Sequence, residues 1–541
     1  MNKIKSFLSS KFASVAFLVI AILSRIINIC FVSYAGRDKM FLVLQSKSFL
    51  AGKGFTVPGY FTSNPEAIVY DHTPMWPYGY PIVLSPFLEL FNYDVYWATT
   101  TLDIIACIAL IFAVRKLCRQ IGFPTAAINI VTLIVGCFEY TFINDSKPTD
   151  NIPIVLFLLG VSLLIKLLST DRFSLASVFI AAFVLFLPSV FRYSYPPLSI
   201  AVAVSILFIG FIKKDILLKK KAGWLLLLIL VLNLVFSLAM KSATGYAGYA
   251  VPTARGYFPE NLVHWFPIVP SSFINLSFLS SQTKNLAGIS LETTMFFLEI
   301  VNTICIIAIV AVFVFLFFNK KFLAKLDPFK WFLITGFFAS AATFVSLGYL
   351  SLTYEPQKWG NGVWSYVYDH RYYAFVVIFL QIAFLGWVFL YPGLTKSLWA
   401  KIIIACFSLA LFIEITHNIY FHTKLAFNFS KYKSEVYREQ DYVYYFRLIN
   451  ELEKKYPDHD IWAAAPGDDF YPYAATYYGH TGIMDGATLK TKNIPVKKKT
   501  ILAFMLYDHE LASYNDLLSR SKILLTNKIG NSNFYIIELL P

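Results

Sequence analysis

Residues 223–240 read Gly-Trp-Leu-Leu-Leu-Leu-Ile-Leu-Val-Leu-Asn-Leu-Val-Phe-Ser-Leu-Ala-Met, with Lys219, Lys220 and Lys221 just before them and Lys241 just after. The run is uncharged and has the roughly 18–20 residues that cross a bilayer core as a helix. The lysines at its ends stand where headgroups and water take over. Similar runs extend from it in both directions. Spans are expected near 13–33, 92–114, 124–143, 151–168, 173–190, 197–212, 223–240, 293–318, 331–350, 372–391 and 399–417. Composition agrees, because only 14% of residues are charged and 57% are hydrophobic, whereas soluble domains carry about 25% charged residues. The sequence therefore predicts an all-α polytopic membrane protein with about eleven transmembrane helices.

The charges are distributed by side. With the N-terminus inside, every inner loop is short and basic: Lys3/Lys5/Lys11, Arg115/Lys116/Arg119, Lys166/Arg172, Lys213/Lys214/Lys219/Lys220/Lys221, Lys320/Lys321/Lys325/Lys330 and Lys396/Lys401. The positive-inside rule fixes that orientation. It also accounts for the net charge of +14 without a nucleic-acid partner. The run from Ala13 to Phe31 is too long for a signal-peptide core and reads as an uncleaved first span. Cys30, Cys107, Cys137, Cys305 and Cys406 lie in apolar runs and Cys118 in a basic loop, so no disulfide framework is implied.

Two domains follow, a transmembrane domain over 1–417 that includes a long first outer loop, 34–91, and an extracytoplasmic tail over 418–541. The tail alternates. Asp441–Lys455 is amphipathic, Ile461–Ala465, Ile501–Leu506, Ile523–Thr526 and Phe534–Leu539 have strand character, and helices are expected over Tyr471–Tyr478 and near Ala512–Arg520. This predicts a small α/β domain.

The first outer loop holds Gly36-Arg37-Asp38-Lys39, then a helix through Leu50, a Gly52-Lys53-Gly54 turn, Tyr70-Asp71-His72 and Gly79-Tyr80-Pro81 before the second span. Arg25 lies inside the first span. Ser146-Lys147-Pro148-Thr149-Asp150 precedes the fourth, Phe191-Arg192-Tyr193 follows the fifth, and Asp369-His370-Arg371-Tyr372-Tyr373 opens the tenth. In this order, over roughly residues 13–420, the chain resembles the GT-C membrane glycosyltransferases. It is most similar to the bacterial branch of protein O-mannosyltransferase-like and aminoarabinose-transferase-like enzymes. The Lys39 that follows Asp38 departs from members with two adjacent acids there.

The resemblance implies a sugar donor on a polyprenyl phosphate. It implies transfer, usually inverting, to a lipid, glycan or protein acceptor outside a bacterial cytoplasmic membrane, with a divalent cation as an optional cofactor. A single displacement needs a carboxylate to take the acceptor proton and cations to hold the departing phosphate. Asp38 and Asp71 are the candidate catalytic acids. His72, Lys147, Asp150, Arg192, Arg371, Tyr372 and His264 are the candidate substrate contacts. No His/Cys/Asp spacing in the sequence reads as a metal site.

Arg25 and Asp103 lie well inside apolar runs, where a charge needs a partner. Counted from the outer ends of their spans, at about 1.5 Å per residue, their depths agree within about 5 Å, and they are expected to pair or share a polar network. A transporter or flippase for lipid-linked sugars, a glycan polymerase and a membrane scaffold are the competing functions. The first of these calls for midplane charges and broken spans in matching halves, and the sequence shows no two-half symmetry.

Overall fold

The computed structural model describes residues 6–32, 37–58, 70–72, 76–138, 140, 150–170, 172–245, 256–262, 265–354, 357–359, 362–364, 367, 369–393, 395–427, 451–452, 455–464, 482–484, 499–508, 511–529 and 532–539. The protein is a mostly helical, polytopic membrane protein with a small C-terminal mixed sheet. Among the described residues nine helices are long and apolar enough to cross a membrane. In chain order the principal elements are α1 (Lys11–Val32), α2 (Arg37–Leu50), β1 (Thr56–Pro58), β2 (Tyr70–His72), α3 (Gly79–Leu90), α4 (Val95–Gln120), α5 (Thr125–Cys137), α6 (Asn151–Leu168), α7 (Leu175–Phe186), α8 (Tyr195–Ile212) and α9 (Ile216–Thr244). There follow α10 (Leu276–Ala287), α11 (Leu291–Phe318), α12 (Pro328–Thr353), β3 (Gln357–Trp359), β4 (Gly362–Trp364), α13 (Ala374–Leu390) and α14 (Leu398–Phe427).

All eleven expected runs are helical, but 124–143 and 173–190 give only the shorter helices Thr125–Cys137 and Leu175–Val190. At Phe138 the backbone turns extended and α5 stops. After α7 the chain tightens into a 3-10 turn, Leu187–Val190, at Pro188, which has no N–H to give an α-helical ladder. At the other end of the chain, α14 runs on to Phe427, past the expected end at 417. Glu414 and His417 are therefore interior to a helix, and the expected domain boundary at 417/418 falls inside it.

The chain forms two compact units, 1–26 with 105–143 and 149–423, and 27–104 with 144–148 and 424–541. In the first unit α6 packs on α7, α7 on α9, and α8 on both α9 and α12. Close helix contact depends on small residues: a Cβ at Gly336 of α12 would stand 2.2 Å from the Phe379 ring of α13. Helix starts are fixed locally, Asp215 accepting from the Leu218 amide (2.9 Å) and Asp327 from the Lys330 amide (2.9 Å). Lys221 donates to the carbonyls of Leu167 (2.9 Å) and Thr170 at the C-terminal end of α6, where the helix dipole favours a cation.

In the second unit α2 packs against α3 and β1, and β1 pairs antiparallel with β2, Val57 opposite Asp71. Stacked rings, Phe41 on Trp76 (5.3 Å) and Phe49 on Phe55 on Tyr78 (4.5 Å each), hold this layer. Helix α3 is absent from the expectations. It begins at the Gly79-Tyr80-Pro81 motif because Pro81 falls in the first turn, where a missing N–H costs little.

The tail contributes β5 (Asp460–Ala464), β6 (Gly482–Met484), β7 (Thr500–Tyr507), β8 (Lys522–Ile529) and β9 (Ser532–Leu539) in the order β6-β5-β7-β9-β8. The β6-β5-β7 pairs are parallel and the other two antiparallel. Both faces of β7 are covered: Leu502, Phe504 and Leu506 on one and Ile501 and Ala503 on the other are all buried. Four strands match the expected ones and the short β6 is additional. The helix expected near 512–520 appears as two short turns, Leu511–Tyr514 and Asn515–Ser519. The helix expected over Tyr471–Tyr478, and most of Asp441–Lys455, lie outside the described residues.

Arg25 and Asp103, expected to pair or share a polar network, fall in different units, and each has partners within its own. Asp103 accepts from the Lys39 ammonium (3.3 Å), and both groups are buried. Arg25 donates to the carbonyls of Val135 (2.9 Å) and Phe138 at the end of α5. Equal depth along two helices leaves their rotation free, and a lysine in the first turn of α2 reaches Asp103.

Candidate functional site

The first unit gathers four of the expected site residues. Asp150 stands at the start of α6, Arg192 in the turn before α8, and Arg371 and Tyr372 in the 3-10 turn (His370–Tyr373) that leads into α13. The Asp150 side chain makes no cap hydrogen bond to its own helix and instead accepts from Arg192 Nε. Asp369, which opens the Asp369-His370-Arg371-Tyr372-Tyr373 motif but is not among the candidate contacts, repeats the arrangement on Arg371. It accepts from the Arg371 amide (3.2 Å), and its Oδ2 lies 2.5 Å from Arg371 Nε. The cue for it is its place two residues before Arg371, which lets one short turn hold both charges.

Tyr372 joins the two pairs. Its ring lies 4.8 Å from Arg371 Cζ and 5.7 Å from Arg192 Cζ, and Arg371 Nη2 donates to its hydroxyl (3.1 Å). Asp150, Arg192, Asp369 and Arg371 are each at least nine-tenths buried. Burial works against the charge of Arg192, but the Asp150 carboxylate outweighs it, and the guanidinium is held above its ordinary pKa. Among the described residues, Arg192 Nη2 and Asp150 Oδ2 are buried and have no hydrogen-bond partner. The cluster thus offers an incoming anion one free guanidinium N–H group, and an incoming donor one free carboxylate oxygen.

Next to it stands an aromatic wall. His370 faces Tyr140 (5.0 Å) and Phe266 (5.9 Å), and Phe266 stacks on Tyr373 (6.0 Å). Phe344 meets Tyr373 (5.4 Å) and also lines an open groove of about 720 Å³ with Trp265, Phe296, Glu299, Ile300 and Ile304. Helices α6 and α8 run from the arginine cluster toward the lysine-rich turn between α8 and α9, so the cluster lies at the opposite end of this unit.

The remaining expected residues are placed as follows. Asp38 is the second residue of α2 and Asp71 the central residue of β2; their side chains lie outside the described part of the structure. His72 is exposed in the second unit, with Nδ1 3.3 Å from the Phe55 carbonyl and 3.4 Å from the Tyr78 hydroxyl. Burial pushes the Tyr78 phenol up to about 12. Lys147 and His264 are outside the described residues. Among the described residues no group of three His, Cys, Asp or Glu side chains gathers to hold a metal ion.

A second polar cluster escaped the sequence reading. Glu414, Asn418 and His422 recur every four residues along α14 and are all buried. Placing the end of the span at 417 hid this stripe.

No protein-family model matches the chain, and no curated protein matches it in sequence. Solved structures are similar to it over nearly its full length. ArnT from Cupriavidus metallidurans in the apo state is 11% identical, with 97% of each chain covered and a TM-score of 0.49. The Archaeoglobus fulgidus oligosaccharyltransferase in complex with Zn and sulfate is 11% identical, with 97% of this chain and 72% of that one covered and a TM-score of 0.47. AglB from Archaeoglobus fulgidus with an inhibitory peptide and a dolichol-phosphate is 11% identical, with 97% and 74% covered and a TM-score of 0.43. Likenesses this distant assign no residue a role, and the functional reading rests on the chain's own groups.

Proposed function

We propose that the protein is a membrane glycosyltransferase that moves a sugar from a polyprenyl-phosphate donor to an extracytoplasmic acceptor. The observation that carries this reading is the buried arginine pair on Tyr372, with Arg192 Nη2 unpartnered among the described residues. A guanidinium fork matches the geometry of phosphate oxygens and stays charged when buried. In the proposed reaction a carboxylate, for which the sequence offers Asp38 as candidate, takes the proton of the acceptor hydroxyl as it attacks the anomeric carbon. The bond from that carbon to the phosphate oxygen breaks, and Arg192 and Arg371 stabilise the charge on the departing phosphate. The groove reached through Phe344 suits the donor's hydrocarbon chain, being lined mainly by apolar side chains.

The test is purified protein with a labelled polyprenyl-phosphate sugar. Transfer to an added acceptor, or donor hydrolysis lost in Arg192→Met, supports the reading. Passage of the intact lipid across a vesicle bilayer with no cleavage would overturn it in favour of a flippase.

A further inference from the structure

Helix α5 has 13 residues. At about 1.5 Å per residue it spans about 20 Å, short of a hydrocarbon core of about 30 Å. Its last carbonyls therefore need partners inside an apolar layer where water offers none. The structure supplies them from two other helices of the same unit. From α1, Arg25 Nη2 donates to the Val135 carbonyl (2.9 Å) and to that of Phe138. From α14, Asn418 Nδ2 donates to the Cys137 carbonyl (2.7 Å). The second donor is itself held. Asn418 also donates to Glu414 Oε1 (2.8 Å), and Glu414 Oε2 accepts from the Asn275 amide (2.9 Å). Beside Arg25, Ser24 Oγ and His422 Nδ1 lie 2.6 Å apart. A Cβ on Gly136 would stand 2.2 Å from Ala21 Cβ, so α1 and α5 touch backbone to backbone where the guanidinium reaches across.

We propose that Arg25 and Asn418 are positioning residues. They cap the open end of α5 and so hold Tyr140 against His370 beside the arginine pair. The catalytic part of this inference rests on the proposed transferase reading; the positioning part does not. A cation at a helix C-terminus meets the negative end of its dipole, and a planar guanidinium can serve two carbonyls at once. Phe138, whose carbonyl Arg25 holds, is two residues from Tyr140, and their rings lie 6.0 Å apart. Tyr140 in turn contacts His370 (5.0 Å) and Phe266 (5.7 Å), and His370 directly precedes Arg371. A charge deep in the first span thus acts on the site through the end of a broken helix.

The experiment measures position directly. In the full-length protein carrying Tyr140→Cys and His370→Cys, a short bifunctional thiol reagent should link the two sites, read by mass spectrometry of the joined peptides. Adding Arg25→Met, or separately Asn418→Leu, should lower that linkage several-fold. Arg25→Lys, which reaches one carbonyl, should retain part of it. In protein with Tyr140 and His370 intact, Arg25→Met should raise KM for a polyprenyl-phosphate sugar about tenfold, with kcat changed less. Equal cross-linking in every background would overturn the proposal. A parent protein that cross-links but transfers no sugar counts against the transferase reading alone, and the cross-linking result still decides the positioning.

Discussion

Arg192 and Asp150 form a buried pair, and their loss is unequal in its effects. Arg192→Met strands the Asp150 carboxylate in an apolar surround, which costs about 3–5 kcal/mol when one partner of a buried pair is removed; a lowered unfolding temperature in detergent should show it. Arg192→Lys keeps the charge and loses the fork. The charge-assisted hydrogen bond it forgoes is worth about 1.5–3 kcal/mol, so donor affinity should fall about tenfold or more. Unchanged donor binding in Arg192→Lys would remove the phosphate assignment. Asp38 is tested by the smallest change available. As general base, Asp38→Asn should lower the rate of transfer by about 10²–10⁴ with the protein folded. As a structural group in the first turn of α2, asparagine should serve almost as well, and a rate within about threefold of the parent would point to that role. At this scale the sequence was informative where charge had one neighbourhood available. Asp150, Arg192, Arg371 and Tyr372 are candidates through the family resemblance, each lying beside the end of an apolar run. Lys39 could not be matched to Asp103, because nothing in linear spacing sets the rotation of two helices about their axes.

The elements were legible in proportion to their length. Long apolar runs give their helices directly, whereas the ends depend on contacts far away in sequence. α5 stops where Arg25 and Asn418 take its carbonyls, and no local signal at Phe138 announces this. The tail shows the same division, since β7, β8 and β9 have clear alternation but the three-residue β6 exists only by pairing with β5. One pair of groups on these strands makes an element-scale prediction. Glu538 of β9 lies 3.2 Å from Lys522 of β8 and 3.6 Å from His459. The hydrogen bond from Lys522 holds its carboxyl below the usual value, with burial working the other way and His459 adding to the lowering. A depressed carboxyl stabilises the folded state fully above the unfolded value of about 4.3, and the contribution fades as pH falls below it through the folded value. Glu538→Gln should therefore be less stable than the parent at neutral pH, with the difference closing in acid. A thermal-unfolding difference that stays constant from neutral to acid pH would show that the pair contributes nothing through ionisation.

For the whole molecule, we propose from the basic loops that the lysine-rich turn between α8 and α9 lies inside and the tail outside. Ser513 is exposed in the Leu511–Tyr514 turn and serves as the reporter. Ser513→Cys should react with a membrane-impermeant thiol reagent in intact cells. Reaction only after permeabilisation would put the tail inside and change the parity of the spans. The early end of α5 has a further consequence, for biosynthesis. A ribosome releases α1 before α5, so Arg25 is already in the bilayer when α5 arrives. The other half of the cap comes late, because 281 residues separate Cys137 from Asn418. At about 5–20 residues per second this is a delay of about 15–60 s, during which Arg25 of the first span is in place at the end of the third apolar run and Asn418 is not.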